Sequence, residues 1–466
     1  MLTALLLTTV TTAGQPNVLI LLADDLRSDA VGALGDLPAR TPNIDRLVEQ
    51  GTAWTRAYVA GSNQGAVCSP SRAMLLTGRH WRDLPPRFVV PWKKAKPDDP
   101  KLAPLMPALL AEAGWRTFFT GKWHQPREHF NACFMEGQRM FFGGMGPHYD
   151  LGMFDRNDEG TYEGRGTPEP KWTSEAFADA AIASIERGAT DDRPWLTWVS
   201  FTAPHDPRTP PRDLADAWSP ENMPLPPTAY IEHPFDNGEL KVRDEKLIGW
   251  PRTATALRKE MADYVAIIQG MDRSIGRVLE ALERTGQAHD TLVIFLADHG
   301  LGMGSHGLVG KQNLYEHSAK APFVMRGPGI PAGGRVDDLV HLHDLMPTVL
   351  QACGVELPAG LGPVLETGGG AGREALVLGY RNLQRAIVTA RWKLIAYPKV
   401  GLLQCFDLAL DQHEQHNLVG TDSDAPVDAL LAQLVQRLKD SDDSAAAETA
   451  LARVPAPAGT SVANGS

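Results

Sequence analysis

The fold is decided by the stretch Asn17-Val18-Leu19-Ile20-Leu21-Leu22-Ala23-Asp24-Asp25. Its first seven residues show no alternation of apolar and polar side chains, which is typical of a strand buried on both faces of a mainly parallel sheet. Asp24 and Asp25 follow at the carboxyl end of that strand. Open α/β sheets bind their ligands at this end, so we interpret the two aspartates as candidate site residues rather than as a solvated turn.

A second stretch repeats this arrangement late in the chain. Residues 291–297 read TLVIFLA, which is again continuously apolar, and they run straight into Asp298, His299 and Gly300. Parallel strands end at the same edge of a sheet, so the two groups of polar residues are expected to converge.

Helical and strand patterns alternate between these two stretches. Helices are predicted at 41–50, 105–113, 174–186 and 257–282, the last from apolar residues spaced three and four apart. Strands are predicted at 117–120 and 195–201, and polar residues follow both of them. The alternation predicts an α/β fold with a large, mainly parallel sheet flanked by helices.

The end of the chain has a different pattern. Short strands at 375–379, 386–389 and 392–397, followed by a helix at 427–438, predict a smaller C-terminal α+β module with an antiparallel sheet. We therefore expect a main domain at 14–375, a C-terminal subdomain at 376–440 and a disordered tail at 441–466, which is rich in Ser, Ala, Asp and Pro.

The first 13 residues resemble a short signal peptide. Leu2–Val10 is apolar and small residues follow it, although the usual positive n-region is missing. We expect a periplasmic or secreted protein, with a cytoplasmic location as the alternative. Later apolar runs are all shorter than the roughly 18 residues that span a bilayer, so we expect no membrane attachment.

Composition narrows the class of protein. The chain has 466 residues, 43% of them hydrophobic and 22% charged, which fits a soluble globular fold with a large core. A formal net charge of -11 argues against a nucleic-acid partner. The four cysteines are widely spaced and form no Cys-x-x-Cys pair, so neither a zinc cluster nor a dense disulfide framework is indicated.

The chemistry is concentrated around Cys68, in residues 65–79, which read GAVCSPSRAMLLTGR. Pro70 suits the first turn of a helix, so Cys68 is expected at a helix N-terminus, beside backbone donors and the positive end of the dipole. Together with Arg72, such a helix start can bind a tetrahedral oxyanion. Taken alone, a free cysteine is more often a small buried apolar residue, and that remains the alternative.

The motif CSPSR, followed by an apolar run and Thr77-Gly78-Arg79, resembles the signature of the type I sulfatases of the alkaline phosphatase superfamily. The resemblance implies an alkaline-phosphatase-like fold and oxidation of Cys68 to formylglycine, whose hydrated aldehyde is the nucleophile. It also implies one divalent metal ion. The ligands implied for this ion are Asp24, Asp25, Cys68, Asp298 and His299. Hard oxygen ligands favour Ca²⁺, with Mg²⁺ or Mn²⁺ as alternatives.

Two further motifs carry the resemblance to other strand ends. Gly121-Lys122-Trp123-His124 looks like the family element in which the lysine contacts sulfate and the histidine assists the formylglycine. His205 in Ala-Pro-His and Lys311 resemble the pair that holds sulfate oxygens and protonates the departing alcohol. His306 and His317 flank Lys311, and we expect them to contact substrate, with ordinary loop histidines as the alternative.

A proline-rich excursion follows His205. Residues 204–251 contain ten of the 36 prolines, which leaves little room for regular structure and indicates a functional surface loop. Its position after the expected general acid places it on the leaving-group side. Four arginines lie in it or beside its end, at Arg208, Arg212, Arg243 and Arg252. We expect substrate contacts from Arg208 and Arg243, which would suit a sulfated sugar.

The sequence therefore predicts a sulfuric-ester hydrolase that releases inorganic sulfate, with a sulfated carbohydrate as the expected substrate. Cations at Arg72, Lys122 and Lys311 would neutralise the sulfate oxygens that otherwise repel a nucleophile. The expected protein partner is a formylglycine-generating or other sulfatase-maturating enzyme. The alternatives are a phosphonate or phosphate ester hydrolase on the same scaffold, and an inactive carbohydrate-binding relative with an unmodified thiol at Cys68.

Overall fold

The computed structural model describes residues 14–85, 104–157, 160–162 and 166–441. The expected signal segment at 1–13 and residues 442–466 of the expected tail lie outside the described residues. Within the described part of the chain, no helix combines the length and the apolar character needed to cross a membrane.

The strands and helices follow the predicted alternation, with further short strands that have no clear sequence pattern. The strands are β1 (Asn17–Ala23), β2 (Thr52–Trp54), β3 (Ala57–Tyr58), β4 (Gly61–Ser62), β5 (Arg116–Lys122), β6 (Glu136–Phe141), β7 (Leu151–Met153), β8 (Thr167–Glu169), β9 (Trp195–Ser200), β10 (Thr291–Ala297), β11 (Phe323–Arg326), β12 (Gly334–Val336), β13 (Val340–His341), β14 (Ala375–Tyr380), β15 (Gln384–Thr389), β16 (Trp392–Tyr397) and β17 (Leu402–Asp407). The helices are α1 (Pro42–Gln50), α2 (Cys68–Thr77), α3 (Met106–Glu112), α4 (Arg127–Cys133), α5 (Thr173–Gly188), α6 (Ala254–Arg284), α7 (Glu316–Ala319), α8 (Leu345–Ala352) and α9 (Val427–Asp440).

The central sheet has eight strands in the order β12-β2-β11-β10-β1-β9-β5-β6. Five of its neighbouring pairs are parallel, and β11 runs antiparallel to β10 and β2. Every residue of β5, β9 and β10 is buried, as expected for strands covered on both faces. The predicted large, mainly parallel sheet is confirmed.

Helices cover this sheet in two groups. The long helix α6 packs against α1 and α5, and α5 also contacts β5 and β9. Helix α2 packs with α3 and α8, and α3 contacts β5. The apolar residues that predicted α6 are its buried face, from Leu257 to Leu282. Together the two groups of helices bury the strands that carry the site at their carboxyl ends.

The smaller sheet has the order β17-β16-β15-β14-β4, and β14 to β17 pair antiparallel as predicted. One of its faces packs on Tyr58 and Tyr315 of the main domain, and its other face packs on α9. Its fifth strand, β4, comes from the N-terminal part of the chain and pairs parallel with β14. The small sheet is therefore tied to the segment that leads into Cys68.

The proline-rich excursion contains the three 3-10 turns Arg212–Leu214, Pro220–Asn222 and Asp244–Leu247. It returns to regular structure at α6, where the Thr253 side chain accepts a hydrogen bond from the Ala256 N–H.

All four cysteines lie in the described part of the chain, where they are buried and free of disulfide bonds.

Candidate active site

The carboxyl ends of the central strands bring three aspartates together. β1 and β10 are in register, with Ala23 opposite Ala297, so Asp24 and Asp298 leave the sheet at the same level. The Asp25 N–H donates to Asp298 Oδ1 at 3.2 Å, and Asp25 has a left-handed backbone with φ of 68°. All three side chains are buried. The predicted convergence of the two strand ends is confirmed.

Cys68 completes this cluster from the start of α2. Its Sγ lies 3.6 Å from Asp25 Oδ1, and one ligand atom from each of Cys68, Asp24, Asp25 and Asp298 lies within 4.8 Å of the others. Pro70 falls in the first turn, as predicted, and all ten residues of the helix are buried. The Ser71 hydroxyl donates to the Asp298 carbonyl at 2.6 Å, which fastens the helix to the end of β10.

Three buried cations balance the three carboxylates. Lys122 Nζ lies 2.5 Å from Asp24 Oδ2. Lys311 Nζ lies 2.6 Å from both Asp25 oxygens and 2.8 Å from Cys68 Sγ. Arg72 Nε donates to Asp298 Oδ2 at 2.9 Å. Sequence reasoning named all three cations as sulfate-binding residues, and the structure places each of them against the carboxylates at the candidate site.

The three buried carboxyl groups differ in the direction of their pKa shifts. Burial works to raise the pKa of Asp24, but Lys122 and the neighbouring cations hold that pKa well below its usual range. Burial raises the pKa of Asp25 to about 7 despite Lys311, because Asp24 and Asp298 add to the effect. Burial and the charge of Asp24 also raise the pKa of Asp298. Three carboxylates packed this closely call for positive charge.

Two predicted histidines border the cluster. His205 Nε2 lies 3.7 Å from Asp25 Oδ2, and its Nδ1 is held 2.7 Å from the Asp206 carbonyl. His124 follows β5 with a left-handed backbone, and its buried Nδ1 has no hydrogen-bond partner among the described residues. Burial, followed by nearby lysines, lowers the pKa of both rings well below the usual value.

The residues present fit a divalent cation. The donor set consists of three carboxylates and the side chain at position 68, and oxygen donors of this kind suit Ca²⁺ or Mg²⁺. Among the described residues, the buried Asp24 Oδ1 accepts no hydrogen bond and has Arg72 Nη2 at 3.5 Å, which leaves a lone pair for a ligand bond. His299 stands apart from this four-residue group, with Nδ1 3.1 Å from the Gly300 carbonyl. Its role as a metal ligand stays a prediction.

His306 and His317, which flank Lys311 in the sequence, lie away from the carboxylate cluster. The His306 ring stacks on Tyr315 at 3.9 Å, and its Nε2 lies 2.9 Å from the Glu414 carbonyl. His317 lines a separate cavity of about 160 Å³, walled also by Arg27 and Glu414. Both rings therefore face the junction with the C-terminal module. Their predicted contact with substrate stays a prediction without support from this geometry.

The four arginines in or beside the proline-rich excursion have different partners in different places. Arg208 is buried against Glu260 of α6, with 2.7 Å between Nη1 and Oε2, so its guanidinium serves an internal ion pair. Arg252 is buried with Glu245, and Arg212 lies over the Tyr149 ring. Arg243 is half-exposed and pairs with Asp206, the residue after His205. Of the two arginines predicted to contact substrate, the structure brings Arg243 to the site and turns Arg208 away.

Sequence reasoning missed several supporting residues. Ser200, the last residue of β9, accepts from Arg72 Nη1 at 2.5 Å. Gln125 donates from Nε2 to the Ser69 carbonyl at 2.7 Å and so ties the end of the β5 loop to α2. Tyr264 on α6 donates to the Asp25 carbonyl at 2.9 Å. Ser200 lies within the predicted strand at 195–201 and Gln125 directly follows the motif that ends at His124, so both had an available signal, whereas Tyr264 carried none.

Known proteins resemble the chain along most of its length. The family model Sulfatase matches residues 16–355. An ulvan-active sulfatase of Formosa agariphila is 26% identical, covering 92% of this chain and 83% of its own. An N-acetylglucosamine-6-O-sulfatase of Bacteroides thetaiotaomicron is 25% identical, covering 91% and 86%.

One solved structure, of a protein in complex with its substrate D-glucosamine-2-N,6-O-disulfate, superposes with a TM-score of 0.73. The two sequences are 22% identical, and the match covers 93% of this chain and 99% of that chain. This likeness shows the fold, and it agrees with the predicted α/β architecture.

Proposed function

This chain belongs to the sulfatase family of the alkaline phosphatase superfamily, and we propose that it releases inorganic sulfate from a sulfated carbohydrate through a formylglycine at position 68 and a divalent metal. The observation that carries the proposal is the buried cluster itself. It joins three carboxylates, the Cys68 side chain and three cations at the ends of the central strands. Its carboxylates can offset the charge of a metal ion, and its cations can offset the charge of a sulfate group.

The metal would be held by Asp24, Asp25, Asp298 and the side chain at position 68. When bound, it would supply positive charge next to the sulfate oxygens and the attacking oxygen. Ca²⁺ suits the oxygen donors best. The buried Asp24 Oδ1, which accepts no hydrogen bond from the described part of the chain, supports the assignment of Asp24 as a metal ligand.

An unmodified Cys68 makes a poor nucleophile here. Burial and the charge of Asp298 raise the pKa of its thiol well above the usual value, so the reactive thiolate is disfavoured. A hydrated aldehyde would supply one hydroxyl to attack sulfur and a second whose deprotonation expels sulfate and restores the aldehyde. This chemistry requires a sulfatase-maturating enzyme, which we propose as the protein partner.

The remaining side chains would bind the sulfate group and protonate the departing alcohol. Arg72 is held by Asp298, the Lys122 carbonyl and Ser200, so its charge is fixed in place before substrate arrives. Lys122, beside Asp24, and Lys311, beside Asp25, add further positive charge for the sulfate oxygens. The anionic ester favours protonation of His205, which then gives its proton to the departing alcohol oxygen as the oxygen–sulfur bond breaks.

A sulfated carbohydrate is the substrate class that the relatives support. The two curated relatives named above are an ulvan-active sulfatase and an N-acetylglucosamine-6-O-sulfatase, each about a quarter identical to this chain. We also propose that residues 1–13 direct export, which the size of the mature protein in cell fractions would test.

Hydrolysis of matched esters tests the proposed activity. Purified protein, produced with a maturating enzyme and Ca²⁺, is assayed on 4-nitrophenyl sulfate, 4-nitrophenyl phosphate and a phenylphosphonate monoester. We expect the highest kcat/KM for the sulfate, and loss of turnover in Cys68→Ala. A higher kcat/KM for the phosphate or phosphonate would favour the alternative hydrolase. Saccharide binding without any turnover would favour the inactive relative.

A further inference from the structure

Arg243 lies beside the catalytic cluster, paired with the residue that follows His205. Its Nη1 donates to Asp206 Oδ1 at 3.0 Å and to Asp244 Oδ1 at 2.8 Å, and its Nη2 contacts Asp206 and Met145. The side chain is 43% exposed, whereas those of the two aspartates are 7% and 9% exposed. Part of the Arg243 side chain is therefore open to an incoming molecule, although both of its Nη atoms already have partners.

Each partner of Arg243 adjoins a different residue of the site. Asp206 follows His205, and its Oδ1 lies 3.4 Å from the ring Nδ1. Asp244 accepts from Gln312, the neighbour of Lys311, at 2.7 Å. Met145 follows Gly144, whose backbone is so close to His124 that an added Cβ would lie 2.5 Å from the ring Nε2. Arg243 thus links the segments that carry His205, Lys311 and His124.

The direct ion-pair partners of Arg243 carry more negative charge than its guanidinium offsets. One guanidinium faces two carboxylates, and the charge of Lys311 helps to keep the pKa of Asp244 low against the effect of burial. Arg381, on β14's connection to β15, is likewise paired, with Glu239. A carboxylate on the substrate would meet a cation already paired and two like charges beside it.

Hydroxyl groups suit this arrangement better. A sugar hydroxyl can donate to a carboxylate oxygen and accept from a guanidinium N–H, so neighbouring hydroxyls can use both partners at once. We propose that Arg243, with Asp206 and Asp244, is a specificity-determining group that selects an uncharged, hydroxyl-bearing ring at the sulfated position and rejects a uronate. This inference rests on the proposed sulfatase activity and adds the class of sugar to it.

A matched panel of substrates separates the two sugar classes. Monosulfates of glucose and of glucuronic acid at O2, O3 and O4 differ only at C6, where a hydroxymethyl group is replaced by a carboxylate. Glucose 6-sulfate extends the neutral series, and 4-nitrophenyl sulfate serves as the reference that lacks a ring of hydroxyls. We expect kcat/KM for the best glucose ester to exceed that for every glucuronate ester by at least about tenfold.

Variants test the assigned group. Arg243→Gln removes the charge at an exposed position and should lower the ratio of glucose-ester to aryl-ester kcat/KM about tenfold to a hundredfold, the range for hydrogen bonds to charged groups. Asp206→Asn with Asp244→Asn leaves the cation in excess and should raise the relative kcat/KM for glucuronate esters. Arg273→Ala is the matched control, since Arg273 is 44% exposed and pairs with Asp213 on the surface.

The outcomes separate this inference from the function on which it rests. Hydrolysis of the aryl sulfate with no activity on glucose esters, a preference for glucuronate esters, or a ratio unchanged in Arg243→Gln would overturn the specificity assignment alone. Failure to release sulfate from any ester in the panel would overturn both. A fall in the ratio for Arg243→Gln but not for Arg273→Ala supports the inference.

Discussion

Arg72→Lys tests whether the buried cluster is one charge-balanced unit. The guanidinium forms three fixed hydrogen bonds, to Asp298 Oδ2 at 2.9 Å, to the Lys122 carbonyl at 2.7 Å and to the Ser200 hydroxyl at 2.5 Å. A lysine keeps the positive charge but lacks the planar fork that reaches all three acceptors. The substitution therefore removes geometry while it preserves formal charge.

The expected cost follows from the contacts that are lost. If the lysine keeps one of the three acceptors, two charge-assisted hydrogen bonds disappear at about 1.5–3 kcal/mol each. Arg72 is 3% exposed, so water does not replace them. We expect the free energy of unfolding to fall by about 3 kcal/mol or more. We also expect kcat for aryl sulfate to fall about a hundredfold, as when a preorganised donor is removed from an active site.

Urea unfolding followed by tryptophan fluorescence, in metal-free buffer at pH 7, measures the change in stability. The control is Arg284→Lys, the same substitution at an ion pair with Glu186 where the arginine is 61% exposed, which should change stability by less than about 1 kcal/mol. A loss in Arg72→Lys no larger than that in Arg284→Lys would refute the account of the cluster.

Three further predictions concern the nucleophile, the metal and acid stability. Cys68→Ser should fold normally but lose multiple turnover, and turnover at the wild-type rate would exclude the aldehyde mechanism. Chelation should abolish sulfate release and lower the Tm, and Ca²⁺ should restore both; full activity in protein found metal-free by elemental analysis would contradict this. Burial lowers the pKa of His343 to about 4 in the folded protein, from about 6.5 in the unfolded chain. Because the unfolded chain therefore binds a proton first, the free energy of unfolding falls by about 3 kcal/mol as the pH falls from 6.5 to 4. His343→Gln should therefore flatten the pH dependence of urea unfolding in that range, and an unchanged profile would rule this origin out.

Sequence patterns predicted the parts of the fold that depend on long, uninterrupted signals. The apolar runs that became β1 and β10 each fill a buried strand, and parallel pairing then places Asp24 and Asp298 at the same level. The spacing of apolar residues in α6 was similarly unambiguous. By contrast, β4 is only Gly61–Ser62, too short for any periodicity, although it adds a strand from the N-terminal part of the chain to the smaller sheet.

The structure brings predicted site residues together where a side chain follows directly from a strand end, whereas the direction of a loop side chain is set by partners that the sequence did not indicate. Lys122, expected to contact sulfate, is the last residue of β5, and its Nζ lies against Asp24. Arg208 and Arg243 share one proline-rich loop, yet Arg208 pairs with Glu260 of α6 and Arg243 pairs with Asp206, the residue after His205. The local sequence does not separate the two, because Glu260 lies outside the loop and Asp206 lies at the far end of the loop from Arg243.

The mass of the peptide that contains position 68 tests the central claim most directly. It should be measured on a preparation that has been shown to release inorganic sulfate from 4-nitrophenyl sulfate. The account predicts the mass of an aldehyde, with its hydrate, at position 68 and an active fraction that matches the fraction modified. An active preparation in which position 68 carries only an unmodified thiol would contradict the account.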